Sequence, residues 1–439
     1  MPSPSATALP LRAAIAKPGT EQLRRHNLAV VLTALRAAGA LSHTEISERT
    51  GLASATVTAV TADLERLGAI ERREQAGSGN RGRPRVHFAR RRDFSHVVAV
   101  QISSDQLHYA LADYGGTMID RFSRPRTIVE GTPEGLVAEI EEAIARLSQR
   151  SRIGASQIGA ISLSSKGMVD AEAGRLVWSP VFGERNVDFS PLVAACPSAS
   201  LFVSNETLLV AHAAARRRIL SVPDKAAAGL IALSLGHSIG LGIARPGGGE
   251  LRELPGLSGL PGLPGLSGLS SLPGLNVSAP NFGHMLNALD DRLCRCGSRG
   301  CIEATAGFYG ILRLAFQVPP NTIPAKFVPL TEMDKIAASA RQGARMAQYA
   351  FRQAGLALGQ GLSRVLSLYE NMPVVVTGPG TRFYDLLSAG MVEGLRQSLQ
   401  VRLTGLPDIE VLANEAELVF DGHVDRALSS VDLKIASLR

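Results

Sequence analysis

The sequence predicts a two-part α/β protein: a winged helix-turn-helix domain at residues 21–92 and a larger α/β domain at residues 93–439. Three observations predict this division. Before residue 68, apolar residues recur at helical spacing in three short segments, and two strand-like segments follow them. Beyond residue 93, short apolar strands alternate with amphipathic helices, which is typical of α/β domains. The excess of positive charge lies wholly in the first part.

The charge distribution indicates a partner for the first part. Residues 1–92 carry 15 Lys and Arg against 7 Asp and Glu, whereas residues 93–439 carry 31 against 32. A basic segment of this kind favours a polyanion, most simply nucleic acid, although a solvated basic face with no partner is the alternative. Residues 1–20 contain four prolines and predict a flexible tail.

The composition also indicates where in the cell the protein is located. Four cysteines in 439 residues do not make a disulfide framework. The sequence has no run of 18 apolar residues and no apolar signal-peptide core at its start, so we expect no membrane span. We therefore expect a soluble, cytoplasmic protein.

The helix-turn-helix is predicted from the spacing of apolar residues and from residues that typically begin and end helices. A first helix includes Leu28 to Leu35 and ends at Gly39. Ser42 and Glu45 match the capping box of a second helix, which Gly51 ends. Ser54 is expected to cap a third helix, with Val57, Val60, Leu64 and Leu67 on its buried face.

The third helix is the candidate recognition helix. Small side chains would let it enter a major groove, and the expected DNA-contacting residues are Ser54, Ala55, Thr56, Thr58 and Thr61. A plain three-helix core with a polar surface is the alternative. A hairpin of strands 69–73 and 86–88 forms the predicted wing. Its arginines, Arg81, Arg83 and Arg85, fit a narrow minor groove.

In the larger domain we expect strands at 96–102, 107–112, 117–124, 158–164, 202–204, 230–235 and 373–377, with helices at 133–147 and 344–368. Three of the four cysteines follow His284 closely in the order Cys294, Cys296, Cys301. Thiolates and an imidazole at four protein positions suit a closed, structural zinc site. Buried thiols without metal are the alternative.

These motifs together resemble the ROK family (repressors, open reading frames, kinases), in the branch with an N-terminal winged helix. The resemblance covers about residues 21–439. It rests on the helix-turn-helix, the Gly82-Arg83-Pro84 of the wing, the Gly-His and Cys-rich segment at 281–303, and the order of strands. It implies a two-lobed actin/hexokinase-like (ribonuclease H-like) domain with one zinc ion on His284, Cys294, Cys296 and Cys301. It also implies a homodimer or homotetramer.

Family kinases begin this domain with an Asp-x-Gly-Gly-Thr loop that binds ATP phosphates. The matching residues here are Gln101-Ile102-Ser103-Ser104-Asp105, and Asp105 brings negative charge toward the phosphate position. The family's catalytic Asp is replaced by Glu206, a degenerate candidate base whose carboxylate lies one methylene further out. Pro379 between two glycines removes an N–H near the expected nucleotide. We therefore expect no kinase activity.

The sugar-binding positions of the family are partly retained. The resemblance implies ligand contacts at Asn205, Glu206, Asn281, His284 and Glu303, with Asn281 standing where the family has Glu. Residues 254–275 repeat leucine every third position with Gly, Pro and Ser. A low-complexity insertion is favoured there over a lid or a partner-binding segment.

The sequence thus predicts a regulator, most simply a repressor, that binds a double-stranded DNA operator and senses a sugar or a related ligand. The alternative is an active ATP-dependent sugar kinase with a fused DNA-binding domain.

Overall fold

The computed structural model describes residues 19–74, 86–103, 105–126, 132–180, 186–221, 229–246, 275–287, 291–369 and 372–438. The chain forms two compact units. The first unit includes residues up to Ala89, together with residues 433–438 at the end of the chain. The second includes the remaining described residues from Arg90 to Asp432. No helix in the described ranges is both long enough and apolar enough to cross a membrane.

The first unit contains a three-helix core and a small sheet. Its elements are α1 (Thr20–Ala38), β1 (Ala40–Ser42), α2 (His43–Thr50), α3 (Ser54–Arg66), β2 (Ile70–Glu74) and β3 (Val86–Arg90). The sheet has the order β1-β3-β2. The predicted helices and both wing strands are present, whereas β1 was not predicted because it has only three residues.

Two boundaries differ from the sequence prediction. Helix α1 begins at Thr20, earlier than the first predicted apolar residue, because its first turns carry polar residues that apolar spacing does not detect. Helix α3 has Ala53 as its N-cap and no side-chain cap, so the prediction that Ser54 caps it is wrong. Ser54 is instead the first helical residue.

The capping box of α2 is confirmed. The Ser42 hydroxyl accepts from the Glu45 amide, and the Glu45 carboxylate accepts from the Ser42 amide at 2.7 Å. Gly51 then ends the helix in the left-handed region, at φ 69°. These local contacts fix the turn between α2 and α3.

The second unit is built on strands β4 to β16. They are β4 (His96–Ile102), β5 (Gln106–Asp113), β6 (Met118–Pro125), β7 (Ile158–Ser165), β8 (Met168–Asp170), β9 (Arg175–Trp178), β10 (Val187–Asp188), β11 (Ser200–Asn205), β12 (Leu230–Ser234), β13 (Gly240–Pro246), β14 (Leu275–Ser278), β15 (Val374–Thr377) and β16 (Ile409–Val411).

The helices after the first unit are α4 (Pro133–Ser151), α5 (Leu192–Ala195), α6 (Glu206–Ser221), α7 (Ile302–Ala306), α8 (Phe308–Ala315), α9 (Leu330–Arg341), α10 (Arg345–Tyr369), α11 (Tyr384–Leu395), α12 (Leu399–Thr404) and α13 (Glu415–Ser437). Helices α4 and α10 and every predicted strand are present within a few residues of the expected bounds. The 23-residue helix α13 was not predicted.

Two five-stranded sheets organise this unit, in the orders β11-β7-β4-β5-β6 and β14-β13-β12-β15-β16. In the first sheet β11, β7 and β4 are parallel, so their carboxyl ends meet at one edge. Ser165 at the end of β7 pairs with Asn205 at the end of β11. This register brings the residues after both strands close together, and the candidate ligand cavity lies there.

Helices α10 and α11 pack unusually closely through glycines on both helices. A Cβ placed on Gly359 would lie 2.1 Å from the Met391 carbonyl oxygen, and one on Gly394 would lie 2.6 Å from that of Leu356. Gly355 and Gly390 are equally crowded by the facing backbone. The second sheet packs on these helices through a core that includes Leu233, Leu358 and Val376, each fully buried.

Candidate functional site

The metal-ligand cluster is assembled from three short segments. His284 ends a 3-10 turn at Phe282–His284, and Cys301 is the N-cap of α7. Cys294 and Cys296 lie in the turns between them, where Gly297 adopts φ 87°. The four ligand atoms of His284, Cys294, Cys296 and Cys301 lie within 4.8 Å of one another. All four cysteines of the chain are free thiols.

The spacing of these atoms suits a tetrahedral metal ion. The His284 Nδ1 to Cys294 Sγ and Cys296 Sγ to Cys301 Sγ distances are both 3.7 Å. Ligands about 2.3 Å from a central zinc would lie roughly 3.8 Å apart, whereas a disulfide would need about 2.05 Å. Hydrogen bonds from Cys301 and His284 lower the pKa of the Cys294 thiol, whereas the contact with Cys294 raises the pKa of the Cys301 thiol, so the shared proton favours a thiolate at Cys294. The cluster can therefore hold a metal ion.

A small cavity of about 50 Å³ lies beside this cluster. Four of the five predicted ligand-contacting residues line it: Asn205, Asn281, His284 and Glu303. Glu206, the fifth, is 2 % exposed and is not part of the lining. His284 belongs to both the cavity wall and the metal cluster, so the two sites share a side chain.

The polar groups of the cavity are held by the surrounding backbone. The Asn205 side chain donates to the Gly167 carbonyl at 2.6 Å and accepts from the Thr207 amide at 2.9 Å. One carboxylate oxygen of Glu303 accepts from the Ile239 amide at 3.2 Å. These bonds fix the orientation of both side chains toward the cavity.

Tyr309 connects the cavity to the metal cluster. Its hydroxyl lies 3.4 Å from a Glu303 carboxylate oxygen and 3.4 Å from Cys294 Sγ. Trp178 packs edge-on against the His284 ring, with ring centroids 5.3 Å apart. The cavity wall is thus supported by the segment that carries His284 and the three clustered cysteines.

Lys166 is a cavity residue that the sequence analysis did not select. It follows β7 and lines the cavity, and its Nζ lies 3.8 Å from a carboxylate oxygen of Glu206. Burial alone would lower the pKa of Lys166, but Glu206, Glu415 and Glu303 raise it, so the ammonium form is held. A lysine directly after a buried parallel strand was the signal that could have identified it. Trp178, the only tryptophan, was also missed.

The second carboxylate oxygen of Glu206, which does not face Lys166, is buried and has no hydrogen-bond partner among the described residues. A catalytic base needs a carboxylate that reaches the reacting hydroxyl. Here the carboxylate of Glu206 lies against Lys166 and outside the cavity lining.

The glycine-rich stretch after β12 serves packing. A Cβ on Gly240 would lie 2.3 Å from Thr207 Cγ2, and one on Gly242 would lie 2.3 Å from the Thr207 carbonyl oxygen. Glycine is required because β13 approaches α6 closely. Gly380, which follows β15, donates its amide N–H to the Leu235 carbonyl oxygen at 2.8 Å.

The candidate DNA-binding face belongs to the first unit. Ser54, Ala55 and Thr58 are exposed on α3, and Thr56 is half-buried. Thr61 is only 1 % exposed, and its hydroxyl lies 2.9 Å from the Val57 carbonyl oxygen and 2.9 Å from His43 Nε2. The expectation that Thr61 contacts DNA is therefore wrong, because this side chain faces the core. The predicted contacts Arg81, Arg83 and Arg85 lie outside the described residues, as does the insertion except Leu275.

Comparison with known proteins identifies both parts of the chain. The ROK family profile matches residues 267–417, and the IclR helix-turn-helix domain profile matches residues 27–74. The DNA-binding transcriptional repressor Mlc of Escherichia coli K12 is 21% identical over 383 residues, which cover 86% of each chain. A glucokinase of Streptomyces coelicolor is 26% identical over 340 residues, covering 74% of this chain and 95% of its own.

A solved structure has a similar fold over most of the chain. The ROK family transcriptional regulator that is a homologue of the E. coli Mlc protein superposes with a TM-score of 0.69, at 20% identity, over 94% of this chain and 99% of its own. The chain therefore carries a ROK-family domain behind an IclR-type helix-turn-helix domain and is homologous to the Mlc repressor.

Proposed function

We propose that this chain is a sequence-specific DNA-binding transcriptional repressor whose ROK domain binds a sugar or a related small ligand and does not phosphorylate it. The observation that carries the proposal is the combination, in one chain, of a helix-turn-helix with an exposed recognition helix and a ROK domain. Similarity to Mlc over 86% of both chains supports this combination as a functional unit.

The DNA-binding part uses α3 and the wing. Ser54, Ala55, Thr56 and Thr58 are the proposed major-groove contacts, and Arg81, Arg83 and Arg85 are the proposed minor-groove contacts. The surplus of eight positive charges within residues 1–92 supports attraction to the phosphate backbone. A single helix-turn-helix reads one half-site, so we propose that the protein acts as a homodimer or a homotetramer.

The absence of phosphotransfer is proposed from three changes. Asp105 lies in the exposed turn after β4, where it would repel the phosphates of a nucleotide. Glu206 is held against Lys166 instead of lining the cavity. Pro379 offers no N–H, and Gly380 uses its own N–H on Leu235.

The ligand would bind in the cavity beside the metal cluster. Asn205, Asn281, His284 and Glu303 provide amide, imidazole and carboxylate groups of the kind that bond sugar hydroxyls. A ligand that binds one conformation of the ROK domain better than another would shift the population toward that conformation and so change DNA affinity.

We further propose that His284, Cys294, Cys296 and Cys301 hold one structural zinc ion. The donor set fits the metal because three thiols and one imidazole fill a tetrahedral shell and leave no position for water. The zinc would cross-link the loop that carries the cavity wall. We propose a cytoplasmic location, where reducing conditions keep such thiols free.

An active sugar kinase with a fused DNA-binding domain is the second candidate, favoured by the similarity to a glucokinase over 95% of that enzyme. Two assays on the full chain separate the candidates. Selection of duplexes from a random pool tests DNA binding. ADP release with Mg·ATP and a panel of hexoses and N-acetylated hexosamines tests turnover. We expect an enriched duplex and no sugar-dependent ADP; sugar-dependent turnover would overturn the proposed loss of kinase activity.

A further inference from the structure

The outward face of α3 carries an unusual set of side chains for a recognition helix. The exposed residues at the spacing of one helical face are Ala55, Thr58, Ala59 and Ala62. The opposite face, with Val57, Val60 and Leu64, is buried in the three-helix core. The groups that α3 can bring to the floor of a groove are therefore small.

The side chains that usually read base edges by paired hydrogen bonds are missing from the first twelve residues of this helix. Arg and Lys read guanine, and Asn and Gln read adenine, through two parallel hydrogen bonds. Between Ser54 and Glu65 the sequence contains none of these four residue types. Arg66, at the last position of α3, has its guanidinium bonded to Asp63 at 2.7 Å.

Two of the four hydroxyl groups of α3, those of Thr58 and Thr61, are bonded within the helix. The Thr58 hydroxyl donates to the Ser54 carbonyl at 3.0 Å, so its proton is not available to a base. Thr61 is buried and lies next to His43. What the outward face presents is mainly methyl groups, from three alanines and one threonine.

A methyl-bearing face has one direct partner in the major groove of DNA. Thymine carries a C5-methyl group there, and Ala and Thr methyl groups are its usual contacts. We infer that Ala55, Thr58, Ala59 and Ala62 read the half-site through thymine methyl groups, so sequence specificity depends on those methyls more than on hydrogen bonds to base edges. This inference rests on the proposed DNA-binding function and concerns only how α3 reads the sequence.

Replacement of thymine by deoxyuridine tests it directly. Deoxyuridine lacks only the C5-methyl and keeps base pairing, phosphates and every hydrogen-bonding group of the major groove. The probe is a duplex that the full chain selects from a random pool, synthesised with deoxyuridine at each thymine of the protected half-sites. We expect the dissociation constant to rise about fourfold for each contacted methyl, hence about sixteenfold when two are contacted.

A matched control duplex carries the same number of deoxyuridines outside the protected half-sites, and its affinity should not change. Restoring a methyl with 5-methylcytosine at a cytosine that replaces a contacted thymine should recover part of the lost binding. Equal affinity for the thymine and deoxyuridine half-sites would overturn the inference. Failure to select any duplex would instead refute the proposed function, so the two failures are distinct.

Substitutions in α3 test the same inference independently. Ala59→Gly removes one methyl from the outward face, so the ratio of deoxyuridine to thymine dissociation constants should fall toward one. Ala338→Gly, at an exposed position of α9, controls for the intrinsic cost of glycine in a helix. A ratio unchanged in Ala59→Gly and in Ala55→Gly, with both variants folded by circular dichroism, would contradict the assignment.

Discussion

At the scale of single residues, His423 has a charge state fixed by its surroundings. Its Nδ1 lies 2.8 Å from the Ser162 hydroxyl and its Nε2 lies 3.0 Å from the Ser164 hydroxyl. Burial lowers the pKa of His423 from 6.5 to about 3. Neutral imidazole can donate from one nitrogen and accept at the other, so both bonds are satisfied without a charge.

This pKa predicts a loss of stability in mild acid. Below pH 6.5 the His423 imidazole binds a proton in the unfolded chain but not in the folded one. The free energy of unfolding therefore falls as pH falls. Between pH 6.5 and about 3, we expect His423 to contribute a loss of at most about 1.4 kcal/mol for each pH unit. Urea unfolding of wild type and His423→Gln at pH 7 and 5.5 measures the contribution. The variant should lose less stability over that interval, and equal losses would contradict the burial argument.

The Lys166–Glu206 pair makes a second prediction at this scale. Lys166→Met leaves the Glu206 carboxylate, 2 % exposed, without its counter-ion. We expect the free energy of unfolding to fall by about 2 kcal/mol, less than for a fully buried pair because the Lys166 side chain is 22% exposed. Adding Glu206→Gln to Lys166→Met should restore part of the loss. Additive effects of the two substitutions in a double-mutant cycle would show that the residues do not interact.

At the scale of elements, the crossing of α10 and α11 depends on glycine. The Gly359→Ala substitution forces a methyl to within 2.1 Å of the Met391 carbonyl oxygen, so the helices must separate. We expect a loss of about 3 kcal/mol in the free energy of unfolding, within the range of overpacked cores. The control is Gly135→Ala in α4, where the added Cβ would meet only the Thr132 hydroxyl at 3.2 Å. Equal melting temperatures for the two variants would contradict close packing.

The metal-ligand loop, which carries His284, Cys294, Cys296 and Cys301, is expected to lose stability when it loses metal. The Cys294→Ser substitution removes one thiolate from the four-ligand set. We expect bound zinc, measured by mass spectrometry of the native protein, to fall well below one per chain and the melting temperature to drop. Cys196→Ser serves as the control, because that buried thiol is not one of the clustered ligands. Full zinc content in Cys294→Ser would refute the ligand assignment.

Elements with strong local signals were predictable from sequence, and those fixed by tertiary contacts were not. The Ser42–Glu45 capping box and the strand His96–Ile102 follow from short-range pattern. The start of α1 and the whole of α13 carry polar residues that hide their helical period. The burial of Thr61 could have been predicted, because it lies four residues after Val57 and three before Leu64 on the buried face of α3; its contact with His43, 18 residues away, could not.

At the scale of the whole molecule, the residue types of the cavity were predictable and its assembly was not. Asn205, Asn281, His284 and Glu303 come together because parallel strands β7 and β11 end at one edge and the metal-ligand loop packs beside them. Lys166 also lines the cavity, because it directly follows β7 at the same edge of the sheet. Its pairing with Glu206, and the resulting position of that carboxylate outside the cavity lining, required the three-dimensional structure.

We propose that ligand binding in the ROK domain and DNA binding are coupled without phosphotransfer. Isothermal titration of the full chain with each sugar of the panel, with and without the selected duplex, measures this coupling. Because coupling is reciprocal, one ligand should change DNA affinity, and DNA should change the affinity for that ligand by the same factor, about 5- to 150-fold. Identical ligand affinities in the presence and absence of the duplex, for every ligand that binds, would contradict the account.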